Sequence, residues 1–367
     1  MVTVPFVDLL SQFDEIRSEV DSGLADILDR TAFIGGSNVA DFEQAYADFV
    51  GVAHCIGVAN GTDAIELALR AAGVGRDDEV ILPANTFIAT AEAVTRTGAR
   101  PVLVDVDPDY LLIDPGQVRS RVSDRTKAIV PVHLFGQMAP VEAIEPIARE
   151  CGAVVIEDAA QSQGATRFGR ASGSAGTASG TSFYPGKNLG AAGDAGAVTT
   201  NDAGLARTVR LLGDHGSAVK YDHEIVGMNS RLDSMQAVVL RAKLARLTGW
   251  NQLRRIAADR YAHMLEALPG VIAPQTMPGN EHVWHLYVIQ VEDRNRVQAE
   301  LGKAGIGVGI HYPVPLHLSR AYQGIAAPGS FPVAEAAADR ILSLPMFPHL
   351  SAAQQEQVVT SLASCLR

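Results

Sequence analysis

The stretch CIGVANGTDAIELALRAAG, residues 55–73, reads as a strand, a turn and a helix in immediate succession. Its first part is a β-rich run that ends at Asn60-Gly61. Thr62 or Asp63 then offers an N-cap-type start, and Gly73 offers a stop. The same unit recurs outward along the chain. EVILPAN (79–85) is a strand, TFIATAEAVTRTG (86–98) a helix, and RPVLVDVD (100–107) a strand. KAIVPVHLFG (127–136), the helix PVEAIEPIARECG (140–152) and the strand AVVIEDAA (153–160) follow. The strands are continuous Val/Ile/Ala runs instead of alternating ones, as expected when helices cover both faces of a sheet. Such alternation predicts an α/β fold with a mostly parallel, helix-flanked sheet.

Past GDAGAVTTND (193–202) the pattern gives a helix from Gly204 and a loop over 217–234. A long helical stretch over 235–268 follows. HVWHLYVIQV (282–291) and GIGVGIHYPVPLH (305–317) belong to a smaller α+β unit. The expected division is a large domain over 1–247, with its N-terminal segment, and a small C-terminal domain over 248–367.

At 367 residues, 47% hydrophobic and 19% charged, the chain has the profile of a globular protein. Its net charge of −11 and lack of a basic run argue against general nucleic-acid binding. Cys55, Cys151 and Cys365 are scattered, which argues against a disulfide framework or a zinc site. The first residues lack the basic-then-apolar order of a signal peptide, and no apolar run has membrane-spanning length. A reducing cytoplasm is the expected compartment.

The segment SFYPGKNLG (182–190) sets one lysine, Lys187, among glycine, proline and aromatics just after an expected strand. A phosphate-cradling P-loop needs G-x-x-x-x-G-K-[ST]; here the glycine spacing is wrong and Asn188 stands where Ser or Thr is required. A lysine that forms a Schiff base with pyridoxal phosphate needs other partners, and each has a candidate. Asp158 ends the strand VVIED at the carboxyl edge of the sheet, placed to pair with a protonated pyridine nitrogen. Gln161 could bond the cofactor's phenolic oxygen. Gly61 and Thr62 begin a helix, a natural phosphate seat, and Ser182 could add a hydroxyl. Phe87 could stack on the ring. Taken singly, a strand-end aspartate is more often a cap or turn former, Gly-Thr-Asp only a cap, and a lone Phe core. The reading rests on the whole set occurring in order. His282 and His285, in HVWH, have no acidic or cysteine companion, so no metal site is assigned.

NGTDAIELAL, PANTFIATAEAV, PVHLFGQ, VIEDAAQSQGA, SFYPGKNLGAAGDAGAV, NSRLDSMQAVVL and HYPVPLH together resemble the DegT/DnrJ/EryC1/StrS family of sugar aminotransferases. The likeness runs from VPFVDL near residue 4 to SLPMFP at 343–348. It implies the aspartate-aminotransferase fold, pyridoxal 5'-phosphate as cofactor, and Lys187 as its Schiff-base lysine. It also implies Asp158 at the pyridine nitrogen, Gln161 at the phenolic oxygen, Gly61, Thr62 and Ser182 at the phosphate, and Phe87 on the ring. In this family the site lies at a homodimer interface, and Asn229 of NSRLD would reach the phosphate held by the other subunit. The wording around Lys187 is similar to members that aminate C-3 of nucleotide-linked keto sugars, most commonly carried on dTDP, with L-glutamate as donor. Amination at C-4, or an idle pyridoxal-phosphate-binding regulator, are the alternatives. Tyr184, Asn188, His311, Tyr312 and His317 are the candidates for sugar contacts, with Lys220 and Arg231 as further cations for the diphosphate.

Overall fold

The structure, a computed structural model, describes residues 4–366. Residues 1–3 and 367, the outer ends of the two expected domains, lie outside the described residues. Seven strands build the main sheet: β1 (His54–Val58), β2 (Glu79–Pro83), β3 (Arg100–Val104), β4 (Thr126–Ile129), β5 (Val154–Asp158), β6 (Ala178–Ser182) and β7 (Gly196–Thr200). Their order is β1-β7-β6-β5-β4-β2-β3. Only β7 runs against its neighbours, pairing antiparallel with β1 and β6, while β2 through β6 are mutually parallel.

The apolar runs that predict these strands split by pleat between two cores. Val80, Leu82, Ala128 and Ile156 pack on one face, with the helices Gly61–Ala71, Ile88–Thr97 and Ala203–Gly213. Ile81, Ile129 and Val155 pack on the other with the helix Val141–Cys151. Period-two alternation explains the division, and two covered faces explain why almost no polar residue interrupts it. The strand expected over 127–136 is shorter than the pattern suggests. Its regular strand ends at Ile129; past it only a parallel bridge between Val132 and Asp158 continues the pairing around Pro131, which has no N–H, before Leu134–Gly136 closes a 3₁₀ turn.

One helix, Ser234–Leu265, runs unbroken through residue 247, where the sequence divided the chain. Beyond it lies an antiparallel sheet of Val271–Ile272, Tyr287–Val291 and Ile341–Leu344. This sheet has its own core, in which Tyr261 and Leu265 of the long helix meet Ile289, Leu301, Leu342 and Val358.

Because β7 is antiparallel to both neighbours, β1 ends at the same edge as β5 and β6. Val58 and Ser182 both pair with Gly196 there. The segments after β1, β2, β4, β5 and β6 therefore converge on one edge, where ligands of open α/β sheets bind.

Candidate active site

A cavity of about 480 Å³ opens at that edge, and Lys187 and Asp158 both line it. Thr62, Phe87, Gln161, Ser182 and Tyr184 line it too, as do His311 and Tyr312 from the C-terminal part of the chain. Residues from β1, β2, β5 and β6 termini thus meet although their sequence positions are far apart.

Asp158 is buried at the end of β5. Thr90 Oγ1 donates to its Oδ2 at 2.7 Å, and the Ala160 amide donates to Oδ1 at 3.1 Å. Burial pushes its carboxyl above the usual range; these hydrogen bonds and the charge of Lys187 offset this only in part. Lys187 is pushed down to about 8, because burial disfavours the ammonium more than Asp158 supports it. Close to neutral pH its amine is therefore partly unprotonated, the form that attacks a carbonyl or takes up a proton.

The helix Gly61–Ala71 points its amino terminus at this cavity. Asn60 caps it, its Oδ1 accepting from the Asp63 amide at 2.8 Å. The amides of Gly61 and Thr62 have no partner among the described residues, and unpaired amides at a helix start suit a phosphate. Gly61 packs flat on Ser182, for a Cβ there would stand 2.5 Å from the Ser182 Cβ. Any larger residue would push the helix start away from the strand. Opposite this seat, the half-exposed Phe87 ring lies 5.1 Å from the Tyr312 ring. Gln161 is oriented at both ends. Its Oε1 accepts from the Phe135 amide at 2.6 Å, and its Nε2 donates to the Tyr312 hydroxyl at 3.0 Å. A buried carboxylate, a desolvated lysine, a bare helix start and a flanking aromatic together fit pyridoxal phosphate.

The substrate candidates divide. Tyr184 is exposed at the cavity rim, and His311 sits inside, its Nδ1 2.8 Å from Ser343 Oγ. Burial and the Lys187 charge bring His311 down to about 4. Asn188 is not at the cavity wall. It is buried, with Nδ2 donating at 2.9 Å to both Asn251 Oδ1 and the Val283 carbonyl, so it braces the lysine loop instead of facing a ligand. His317 is neither a surface residue nor a wall residue. It is buried under Phe331, and its Nε2 lies 2.9 Å from Glu335. Asn229 is exposed and away from the cavity of its own chain. Arg231 pairs with Asp214 at 2.9 Å, and Lys220 lies over the Tyr221 ring. The sequence did not single out Thr90, which holds Asp158, or His285 as a wall residue. An i, i+4 Thr86–Thr90 pair after a strand was the available signal for Thr90.

Known proteins share this arrangement of sequence and fold. The profile of the DegT/DnrJ/EryC1/StrS aminotransferase family matches residues 14–363. The chain is 45% identical over 360 residues to EryC1 of Saccharopolyspora erythraea, named an erythromycin biosynthesis sensory transduction protein, with 98% of each chain covered. It is 44% identical to the dTDP-3-amino-3,4,6-trideoxy-alpha-D-glucose transaminase of Streptomyces venezuelae, covering 98% of this chain and 95% of that one. The crystal structure of S. venezuelae DesV in complex with a ketimine intermediate superposes with a TM-score of 0.97, at 44% identity and 100% coverage of both chains.

Proposed function

Because the chain belongs to the DegT/DnrJ/EryC1/StrS aminotransferase family, we propose that it moves an amino group from L-glutamate to C-3 of a nucleotide-linked keto-deoxysugar. It is a sugar aminotransferase, and pyridoxal phosphate is its cofactor. The observation that carries the reading is the pairing of the buried Asp158 with the half-buried, desolvated Lys187 in one cavity beside a bare helix start.

Bound pyridoxal phosphate supplies an electron sink for the carbon that gains and loses the proton. The protein's residues do the rest. Lys187 Nζ, kept partly neutral by burial, would hold the cofactor's aldehyde and, when free, would take up and return that proton. Asp158 would meet a cationic ring nitrogen, whose charge would favour the ionised carboxylate that burial disfavours. The Gly61 and Thr62 amides with the Ser182 hydroxyl would seat the phosphate, and Phe87 would cover the ring. Tyr184, His311 and Tyr312 face the sugar. The relative's name supports C-3 and dTDP, as does the wording around Lys187.

The working unit in this reading is a cytoplasmic homodimer. Three unpaired thiols suit a reducing compartment. The exposed Val219, Tyr221 and Val226, close in sequence to the outward-facing Asn229, offer an apolar face for a second copy.

Absorbance of the purified protein tests this directly. A yellow band that bleaches on adding L-glutamate and returns on adding dTDP-3-keto-6-deoxyglucose is the expected result. No band after incubation with pyridoxal phosphate would overturn the reading, whereas bleaching with no return would overturn only the acceptor. Return with a 4-keto sugar alone would move the amination to C-4.

A further inference from the structure

The two histidines of the segment 282–285 carry their hydrogens on opposite nitrogens. His282 stacks on Trp284 with ring centroids 3.8 Å apart, and its Nδ1 accepts the Trp284 amide at 2.9 Å. Its hydrogen is therefore on Nε2, directed at the Gly136 backbone. Both nitrogens are used inside the fold.

His285 is set the other way by a chain of amides whose ends are unambiguous. The Val283 carbonyl can only accept, so the Asn188 atom 2.9 Å from it is the NH₂. That NH₂ also donates to Asn251 Oδ1, and Asn251 is oriented independently because its own Nδ2 donates to the Gln163 carbonyl at 2.9 Å. Asn188 is left with its oxygen 3.2 Å from His285 Nδ1. An oxygen there can only be met by N–H, so Nδ1 carries the hydrogen and Nε2 keeps a bare lone pair. Nε2 has no partner among the described residues, and His285 lines the same cavity as Lys187. Burial first, then the charge of Lys187, hold the ring far below its usual range, so a second proton does not restore Nε2–H.

We propose that Asn251 and Asn188 act as positioning residues that preset His285 Nε2 as a hydrogen-bond acceptor for a hydroxyl of the substrate's sugar. The proposal rests on the nucleotide-sugar reading above. Among possible donors, a neutral hydroxyl suits this position better than an ammonium, because Lys187 already places positive charge beside the ring. A site built to bond one hydroxyl discriminates strongly against sugars lacking it, since the acceptor is then left buried and unpaired.

The test uses the holoenzyme with ¹⁵N-labelled histidine and dTDP-glucose, which lacks the keto group and does not react. In the free enzyme His285 should show a protonated Nδ1 and an unprotonated Nε2. Adding dTDP-glucose should shift Nε2 toward the hydrogen-bonded range, and adding dTDP alone should not. His285→Phe should weaken dTDP-glucose about tenfold, in keeping with one lost hydrogen bond, and leave dTDP affinity as it was. Asn251→Ala should mix the two tautomers and raise KM for the keto sugar more than KM for glutamate. A hydrogen found on Nε2, or an Nε2 signal indifferent to bound dTDP-glucose, would overturn the proposal. Failure of both dTDP and dTDP-glucose to bind would instead overturn the nucleotide assignment and remove the hydroxyl partner with it; the tautomer result judges the amide chain separately.

Discussion

Glu157 and Asp158 stand side by side on β5, both buried, yet one is ringed by donors and the other nearly bare. The pleat turns them to opposite faces of the sheet. Glu157 accepts from the amides of Gly173, Ala175 and Gly176 and from His133 Nε2 at 2.7 Å. His133 is itself fixed, since its Nδ1 accepts the Ala139 amide. Burial pushes the Glu157 carboxyl up, but these donors outweigh it and hold the group below its usual range. Asp158 has Thr90, one backbone amide and the Lys187 charge, and stays raised. A carboxylate satisfied by the fold is structural. One left short of partners at a cavity wall is waiting for a cation.

That contrast can be broken from either side. Asp158→Asn removes the partner of the ring nitrogen and should lower transamination roughly 10²–10³-fold in a half-reaction assay. The melting temperature should hold or rise, because an amide costs less to bury than a carboxylate. Glu157→Gln should do the reverse. By mispairing one of its donors it should cost about 3 kcal/mol in urea unfolding while sparing turnover of the folded enzyme. If Glu157→Gln impaired chemistry and left stability intact, the division of roles would be wrong.

Lys187→Met sharpens the comparison through pH. The lysine binds fewer protons folded than unfolded between about 8 and its ordinary value of 10.5, so its burial costs stability below that window and nothing above it. The cofactor-free variant should therefore be more stable than wild type at pH 7, by on the order of 3 kcal/mol. The gain should shrink as pH rises from about 8 toward 10.5, followed by thermal unfolding across that range. The smallest effect is expected from Thr90→Val, which takes one donor from Asp158. Cofactor affinity should fall about fivefold, near 1 kcal/mol, measured by fluorescence titration of apoprotein.

The sheet was legible because continuous apolar strands and capped helices are local signals. Lys187, Asp158, Gly61 and Ser182 could be picked out because strand ends fall on one edge of such a sheet. Other roles were set by distant partners. Asn188 looks like a ligand-facing residue beside Lys187, but its acceptors come from 63 and 95 residues further along. His317 sits in a stretch with loop signals, and only the approach of Phe331 and Glu335 buries it. His285 was weighed solely as a metal ligand, because no spacing rule announces a tautomer. What lay beyond reach was the geometry of side-chain amides, which sequence periodicity does not encode.

The helix Ser234–Leu265 touches the lysine loop and the C-terminal sheet with the same rigid rod. Gln236 Oε1 takes the Ala192 amide, Asn251 takes Asn188, and Arg254 donates to the carbonyls of Trp284 and Met346. From Gln236 to Arg254 the rod measures about 27 Å, and each residue turns it by about 100°. One inserted residue anywhere in that span would swing every later contact off its partner, however conservative its side chain. Substitutions can drift here, but the length of this helix is frozen, and gain or loss of residues in descendants of this chain belongs in the exposed loop before it.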